Sequence, residues 1–317
     1  MKKNFLITGG AGFIGSNLIN KLLEIPENNV FVFDNLSTGR KTNLKLDNKN
    51  LNFYNIDLKT PYRDWPQLKE IDTLFHFAAN ADVRGGEINR DIDFYENVIV
   101  TKAICDYASK NKIKKVAFSS SATVYGEPNI FPTPENYSST QTSVYGASKL
   151  AGEAYLQAYS EYLDFKVTIF RFVSWVGYGY SHGVIYDFVN KLLKNPNELF
   201  ILGDGNQKKS YLDVSDGVNG VLNLNDLNQE NCNIFNLGHT EIIDVNSLAR
   251  IICKKLDLIN IKFNYSGGER GWKGDSPLVH LDISKAKKYG WSPKVDIKTA
   301  ISNTVDYLLS DRRNLYR

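Results

Sequence analysis

Tyr145 and Lys149 lie four residues apart in the run Tyr145-Gly146-Ala147-Ser148-Lys149, a spacing that brings a phenol and an ammonium to one side of a helix. A free tyrosine has a pKa of about 10 and is a poor base at neutral pH. A fixed positive charge beside it favours the phenolate. Upstream, Ser119-Ser120-Ser121-Ala122-Thr123 follows an apolar run and supplies hydroxyls that can hold a reacting oxygen and pass its proton to a tyrosine. Tyr145 is the candidate base and Lys149 its charge partner, with the hydroxyls of this run, Ser121 and Thr123 among them, as candidates to hold the oxygen. Serine clusters are also common in plain turns, so the set gains its meaning from its surroundings.

A second signature opens the chain. Gly9, Gly12 and Gly15 punctuate Thr8-Gly9-Gly10-Ala11-Gly12-Phe13-Ile14-Gly15, between a short apolar run and a helical pattern. Such glycines allow a tight turn, close approach of a pyrophosphate and close helix–sheet packing, and the helix start offers N–H donors to phosphate. Asp34 ends Val30-Phe31-Val32-Phe33, nineteen residues beyond Gly15. A carboxylate there accepts ribose hydroxyls and repels a 2′-phosphate, so loop and acid together predict NAD rather than NADP. Arg40, a few residues on, is a cation that a phosphate could use. Lowering Tyr145 to a pKa of about 7 takes roughly 4 kcal/mol, which Lys149 and the oxidised nicotinamide can share.

These groups need a scaffold that carries them to one edge. Strand candidates are Asn4–Thr8, Val30–Asp34, Leu51–Asp57, Thr73–Ala78, Lys115–Ser119 and Val167–Phe172, alternating with helical patterns at Phe13–Glu24, Tyr95–Lys110 and Val144–Tyr162. That alternation predicts an α/β fold, a Rossmann-type doubly wound parallel sheet buried on both faces. After residue 172 the rhythm changes: helices at Val184–Leu193 and Val245–Leu256 stand among short strands at Leu199–Leu202 and Ile234–Leu237. We expect residues 1–172 to form the NAD-binding and catalytic domain. Residues 173–317 are expected to form mainly a smaller mixed α/β substrate-binding domain, with the chain free to cross between the two.

Composition narrows the setting. The 317 residues are 42% hydrophobic and 23% charged, ordinary values for a globular chain with a sizeable core. Lys and Arg number 38 against 35 Asp and Glu, and a balance of +3 predicts no nucleic-acid or membrane-surface partner. Cys105, Cys232 and Cys253 are scattered, which predicts neither a disulfide framework nor a metal site. The apolar run after Lys2 and Lys3 is too short for a signal peptide, and no stretch approaches the about 18 apolar residues of a membrane span. A soluble, cytoplasmic protein is the expectation.

Taken in order, the motifs resemble the extended branch of the short-chain dehydrogenase/reductase superfamily, the nucleotide-sugar epimerases and dehydratases of UDP-glucose 4-epimerase type. The resemblance implies NAD as cofactor and an adenosine-ribose loop at Asp34-Asn35-Leu36-Ser37-Thr38-Gly39. It places Asp57, with Leu58, beside the adenine amino group, and Phe77-Ala78-Ala79 along the cofactor. Asn97 would support the active-site helix, and Phe13, Ile14, Ser119 and Phe172 complete the cofactor set. It also implies a homodimer through the helices near 95–110 and 144–162, against simple core packing as the other use of their apolar faces.

In the second half, His182-Gly183-Val184 resembles the segment that lies against the nucleotide, so Gly183 and Val184 are candidate substrate residues. Gly203-Asp204-Gly205-Asn206-Gln207-Lys208-Lys209 resembles a diphosphate-binding stretch with Lys209 in place of an arginine, and Arg270 is the next candidate cation. A solvated surface charge is the competing reading for both. The segment Arg171-Phe172-Val173-Ser174-Trp175-Val176-Gly177-Tyr178-Gly179 departs from the family: Ser174 replaces a substrate-contacting asparagine, and Tyr178-Gly179 replaces Pro-Arg. Dehydratases carry an Asp-Glu pair after the catalytic hydroxyl and decarboxylases a glutamate, where this chain has Ala122-Thr123. The sequence thus predicts an NAD-dependent oxidoreductase at C4 of a nucleoside-diphosphate sugar, a 4-epimerase working through a 4-keto intermediate. The alternatives are a 4-dehydrogenase that releases the ketone, on a UDP, GDP or dTDP carrier, and a non-catalytic NAD-binding regulator.

Overall fold

A computed structural model describes residues 2–85, 88–138, 140–163 and 165–311. Its first half alternates as the apolar pattern requires: β1 (Asn4–Thr8), α1 (Phe13–Leu22), β2 (Asn29–Asp34), β3 (Leu51–Asn55) and β4 (Thr73–His76). There follow the short α2 (Asp91–Asp93), α3 (Val100–Lys110), β5 (Lys115–Ser121), α4 (Val144–Tyr162) and β6 (Lys166–Phe172). Neighbouring residues along these strands go to opposite faces. Ile7, Phe75 and Ala117 join one core cluster while Leu6, Leu74 and Val116 join the other. Burial on both sides is why the strands read as nearly continuous apolar runs, and each fully buried large side chain contributes about 1.5–3 kcal/mol.

The second half supplies β7 (Ser174–Val176), α5 (Val184–Lys194), β8 (Glu198–Ile201), β9 (Lys208–Lys209), β10 (Tyr211–Asp213) and α6 (Val214–Leu227). It continues with β11 (Cys232–Leu237), β12 (Ile243–Asp244), α7 (Val245–Lys255), β13 (Lys262–Tyr265), β14 (Leu278–Val279), α8 (Ser284–Lys288) and α9 (Ile297–Ser310). The main sheet has seven parallel strands in the order β11-β6-β5-β4-β1-β2-β3. Its seventh strand comes from the late segment Cys232–Leu237, in register with Val167–Phe172, so the chain crosses back into the sheet after residue 172. The remaining strands form small two- and three-stranded sheets. Helices α5, α7 and α9 share a separate core with Ile185, Phe188, Leu248, Ile252 and Ile301.

Several expected boundaries shift, and two of the shifts bear on the site. The third strand stops at Asn55 rather than Asp57, because the Asp57 carboxylate accepts the Lys59 N–H at 3.0 Å and its carbonyl accepts that of Thr60, closing a turn. The helix expected over Tyr95–Lys110 begins earlier, at α2, and runs through a π turn at Phe94–Ile99 before α3. Asp93 and Asn97 are both buried there, and polar side chains give an apolar-periodicity reading nothing to follow.

Candidate functional site

Strands β1 and β4 are neighbours, yet the chain leaves them toward opposite edges of the sheet. The crevice beyond their carboxyl ends is where ligands bind in such sheets. Thr8 ties the two ends together: its Oγ1 accepts the N–H groups of Phe77 and Ala78, both at 3.2 Å. Gly9 has φ +69°, and a Cβ there would lie 2.7 Å from the Ala78 nitrogen. At Gly15 a methyl group would run into the Gly9 carbonyl oxygen. This cradle is closed to side chains on the protein side, as a backbone that grips phosphates must be.

Asp34 meets the glycine loop directly. Its Oδ2 accepts the Ala11 N–H at 2.9 Å and its Oδ1 that of Leu36 at 2.7 Å. Burial pushes its carboxyl above the usual range, opposed by those two N–H groups. The loop beyond it folds back over the glycines: Asn35 accepts the Ser37 N–H, and Arg40 donates to the Ala11 carbonyl at 3.0 Å, with Gly39 packed on Ala11. Ser37 and Thr38 stand exposed at its rim. Phe13 packs edge-on against Tyr180, Ile14 and Phe172 join the core, and Leu58 is buried near Trp65. Asp57 lies at its own turn beside Lys59, 3.5 Å away.

The catalytic candidates converge at the end of β5. Thr123 Oγ1 donates to Ser121 Oγ at 2.9 Å, and the Ser121 hydroxyl lies near Tyr145, where it favours the phenolate against the effect of burial. Lys149 Nζ donates to the Ser119 carbonyl at 2.7 Å and lies over the Phe118 ring. Burial pushes the Tyr145 phenol up to about 12 and the Lys149 ammonium down to about 7, with the Glu153 and Asp93 carboxylates opposing the shift at Lys149.

Helix α4 is held from two sides. Ser120 and Arg171 grip Glu153, with Arg171 Nε at 2.9 Å and Nη2 at 2.7 Å from its two oxygens, and all three side chains are buried. On the other side Asn97 Nδ2 donates to Ser148 Oγ at 2.9 Å. None of Thr8, Asn80, Asp93, Ser148, Glu153 or Arg171 stood out as a site residue in the sequence. Only Glu153 carried a signal, one helical turn beyond Lys149.

Among the substrate candidates, Ser174 is exposed at the start of β7, and Gly183, at φ +100°, precedes Val184 at the start of α5. Lys209 and Arg270 already have partners within the protein. Lys209 Nζ is 2.5 Å from Asp275 Oδ1, and Arg270 pairs with both carboxylate oxygens of Glu127. Trp272 lies between Lys209 and Arg84, whose cations face its ring at 5.0 and 5.6 Å.

The sequence profile of the NAD dependent epimerase/dehydratase family matches residues 5–238. The chain belongs to that family. Epimerase/dehydratase relatives extend over nearly the whole length. A putative UDP-glucose 4-epimerase of Methanocaldococcus jannaschii is 35% identical over 97% of this chain and 99% of its own. A UDP-glucose 4-epimerase of Thermotoga maritima, solved with UDP-glucose, superposes with a TM-score of 0.88 at 32% identity, over 97% of this chain and 99% of its own. UDP-glucuronic acid decarboxylase 3 of Arabidopsis thaliana is 31% identical over 93% of this chain and 86% of its own.

The glycine cradle and the Asp34 carboxylate at the strand tip fit the family's NAD. No helix among the described residues is long and apolar enough to cross a membrane.

Proposed function

We propose that the protein is a 4-epimerase of a nucleoside-diphosphate sugar, working through a transient 4-keto sugar. The observation that carries this reading is the hydrogen-bonded Thr123–Ser121 hydroxyl pair at the end of β5, with Tyr145 buried near it. Tyr145 takes the proton of the sugar 4-hydroxyl while Ser121, oriented by Thr123, holds the same oxygen. Bound NAD supplies a hydride acceptor that returns the hydride to C4. Gly9, Gly12, Gly15, Asp34 and the backbone of Phe77-Ala78-Ala79 hold it, and residues 173–317 mainly cover the sugar nucleotide.

Elimination across C5–C6, or loss of a carboxylate, calls for a further acid–base group. Ala122 has none, and the Thr123 hydroxyl is committed to Ser121. Dehydration and decarboxylation therefore fall outside the proposed activity, although some relatives are decarboxylases.

We also assign a homodimer. Phe94, Tyr95, Ile99 and Tyr155 leave 40–53% of their surfaces exposed beside α3 and on α4, the surface a second copy would cover.

The test is a panel of UDP-, GDP- and dTDP-sugars followed by sugar NMR together with absorbance at the reduced cofactor's band. A C4-inverted sugar with no net reduced cofactor is expected. An accumulating ketone would replace the epimerase with a 4-dehydrogenase. Tyr145→Phe should bind NAD and turn over no sugar, and an active variant would remove Tyr145 as the base.

A further inference from the structure

The buried carboxylate of Asp93 has no part in the chemistry described so far. It is completely covered, on the short helix α2 where it leads into the π turn. Its Oδ1 accepts Asn80 Nδ2 at 2.8 Å and Asn97 Nδ2 at 3.3 Å, while Oδ2 has no hydrogen-bond partner among the described residues. Asn97 also accepts the Asn80 N–H at 2.9 Å and reaches Ser148, the residue before Lys149. An ionisable group with a bare oxygen in a dry site is costly to keep unless its charge is used.

We propose that Asp93 is a positioning residue for the catalytic pair, a fixed negative charge that through Asn97 and Ser148 sets α4 and tunes the pH at which Tyr145 ionises. The inference rests on Tyr145 being the base.

The groups around it make the sign definite. Tyr145 and Lys149 face Asp93 from α4, Asp82 from the loop after β4, and Asn80 and Asn97 bond it. Lys149 also feels Glu153 from its own helix and acts on His76 in β4, and the Ser121 hydroxyl favours the Tyr145 phenolate. A negative charge beside a phenol disfavours phenolate, and beside an ammonium it favours the charged form. Asp93 thus adds to Glu153 in favouring the Lys149 ammonium and adds to burial in disfavouring the Tyr145 phenolate.

The experiment titrates the Tyr145 phenolate of the NAD-loaded protein by ultraviolet difference absorbance, with Tyr145→Phe as the blank. Asp93→Asn should move the midpoint down by a resolvable amount of up to about one pH unit, with NAD affinity within a factor of about 3. Exposed Asp91→Asn, on the same short helix, should leave it in place. Should Asp93→Asn not fold, Asn80→Ser decides, since it removes one donor to Asp93 and keeps the backbone N–H to Asn97. Weaker support for the Asp93 charge should then give a smaller downward shift. An unchanged or raised midpoint overturns the proposal. The readout needs no sugar turnover, so a failed epimerase assay leaves it standing, whereas absence of any Tyr145-dependent phenolate signal sinks both readings.

Discussion

Thr123 donates its hydroxyl to Ser121 at 2.9 Å, and its backbone N–H reaches the same oxygen at 3.2 Å. Two donors on one oxygen restrict the directions in which Ser121 can give its own proton, and in the proposed reaction it serves the oxygen that Tyr145 deprotonates. Thr123→Val keeps the shape and removes one donor. Sugar turnover should fall about tenfold, the worth of one hydrogen bond, with KM nearly unchanged. Steady-state kinetics on the sugar identified by the panel measures it.

Asp34 holds the glycine loop through Ala11 and stands where a 2′-phosphate would be repelled. Asp34→Asn keeps an acceptor and loses the charge. NAD affinity should drop about tenfold or more and the preference for NAD over NADP should narrow. Fluorescence titration with each cofactor reads both effects.

His76 is buried between Thr8 and Thr101, with Nδ1 2.8 Å from one hydroxyl and Nε2 3.0 Å from the other. Burial, with help from Lys149, lowers its pKa to about 3. Below the unfolded value of about 6.5 the unfolded chain binds a proton that the folded one does not, so stability from this group falls as pH drops through that window. The slope is about 1.4 kcal/mol per pH unit, or about 2 kcal/mol between pH 6.5 and 5. Urea unfolding at pH 7 and 5 should show it, and His76→Asn should flatten the difference.

Glu127 occupies the guanidinium of Arg270, a candidate cation for the diphosphate of the proposed substrate. Arg270→Ala should raise KM for the sugar nucleotide by about tenfold, while Glu127→Gln should lower it by freeing the cation. Equal KM values in both variants would return Arg270 to the surface charges.

A charge on the exposed apolar face tests the dimer. Tyr155→Glu or Phe94→Glu should give a monomer by light scattering where the parent protein is a dimer, because a buried carboxylate without a partner is costly. A monomeric parent protein would remove the assignment.

The glycine loop, Asp34, Ser121, Tyr145 and Lys149 were readable in the sequence because each depends on short-range spacing, a turn or a helical repeat. The six earlier strands of the sheet were legible for the same reason, through apolar runs buried on both faces. Tertiary structure alone decided which distant groups meet. Asp93 joins Asn80, Asn97 joins Ser148, Glu153 meets Ser120 and Arg171, and Cys232–Leu237 returns to complete the sheet. It also decided how deeply Tyr145 and Lys149 are buried, since desolvation depends on what covers a group. A spacing places two side chains on one face, but only packing determines how much water is left around them.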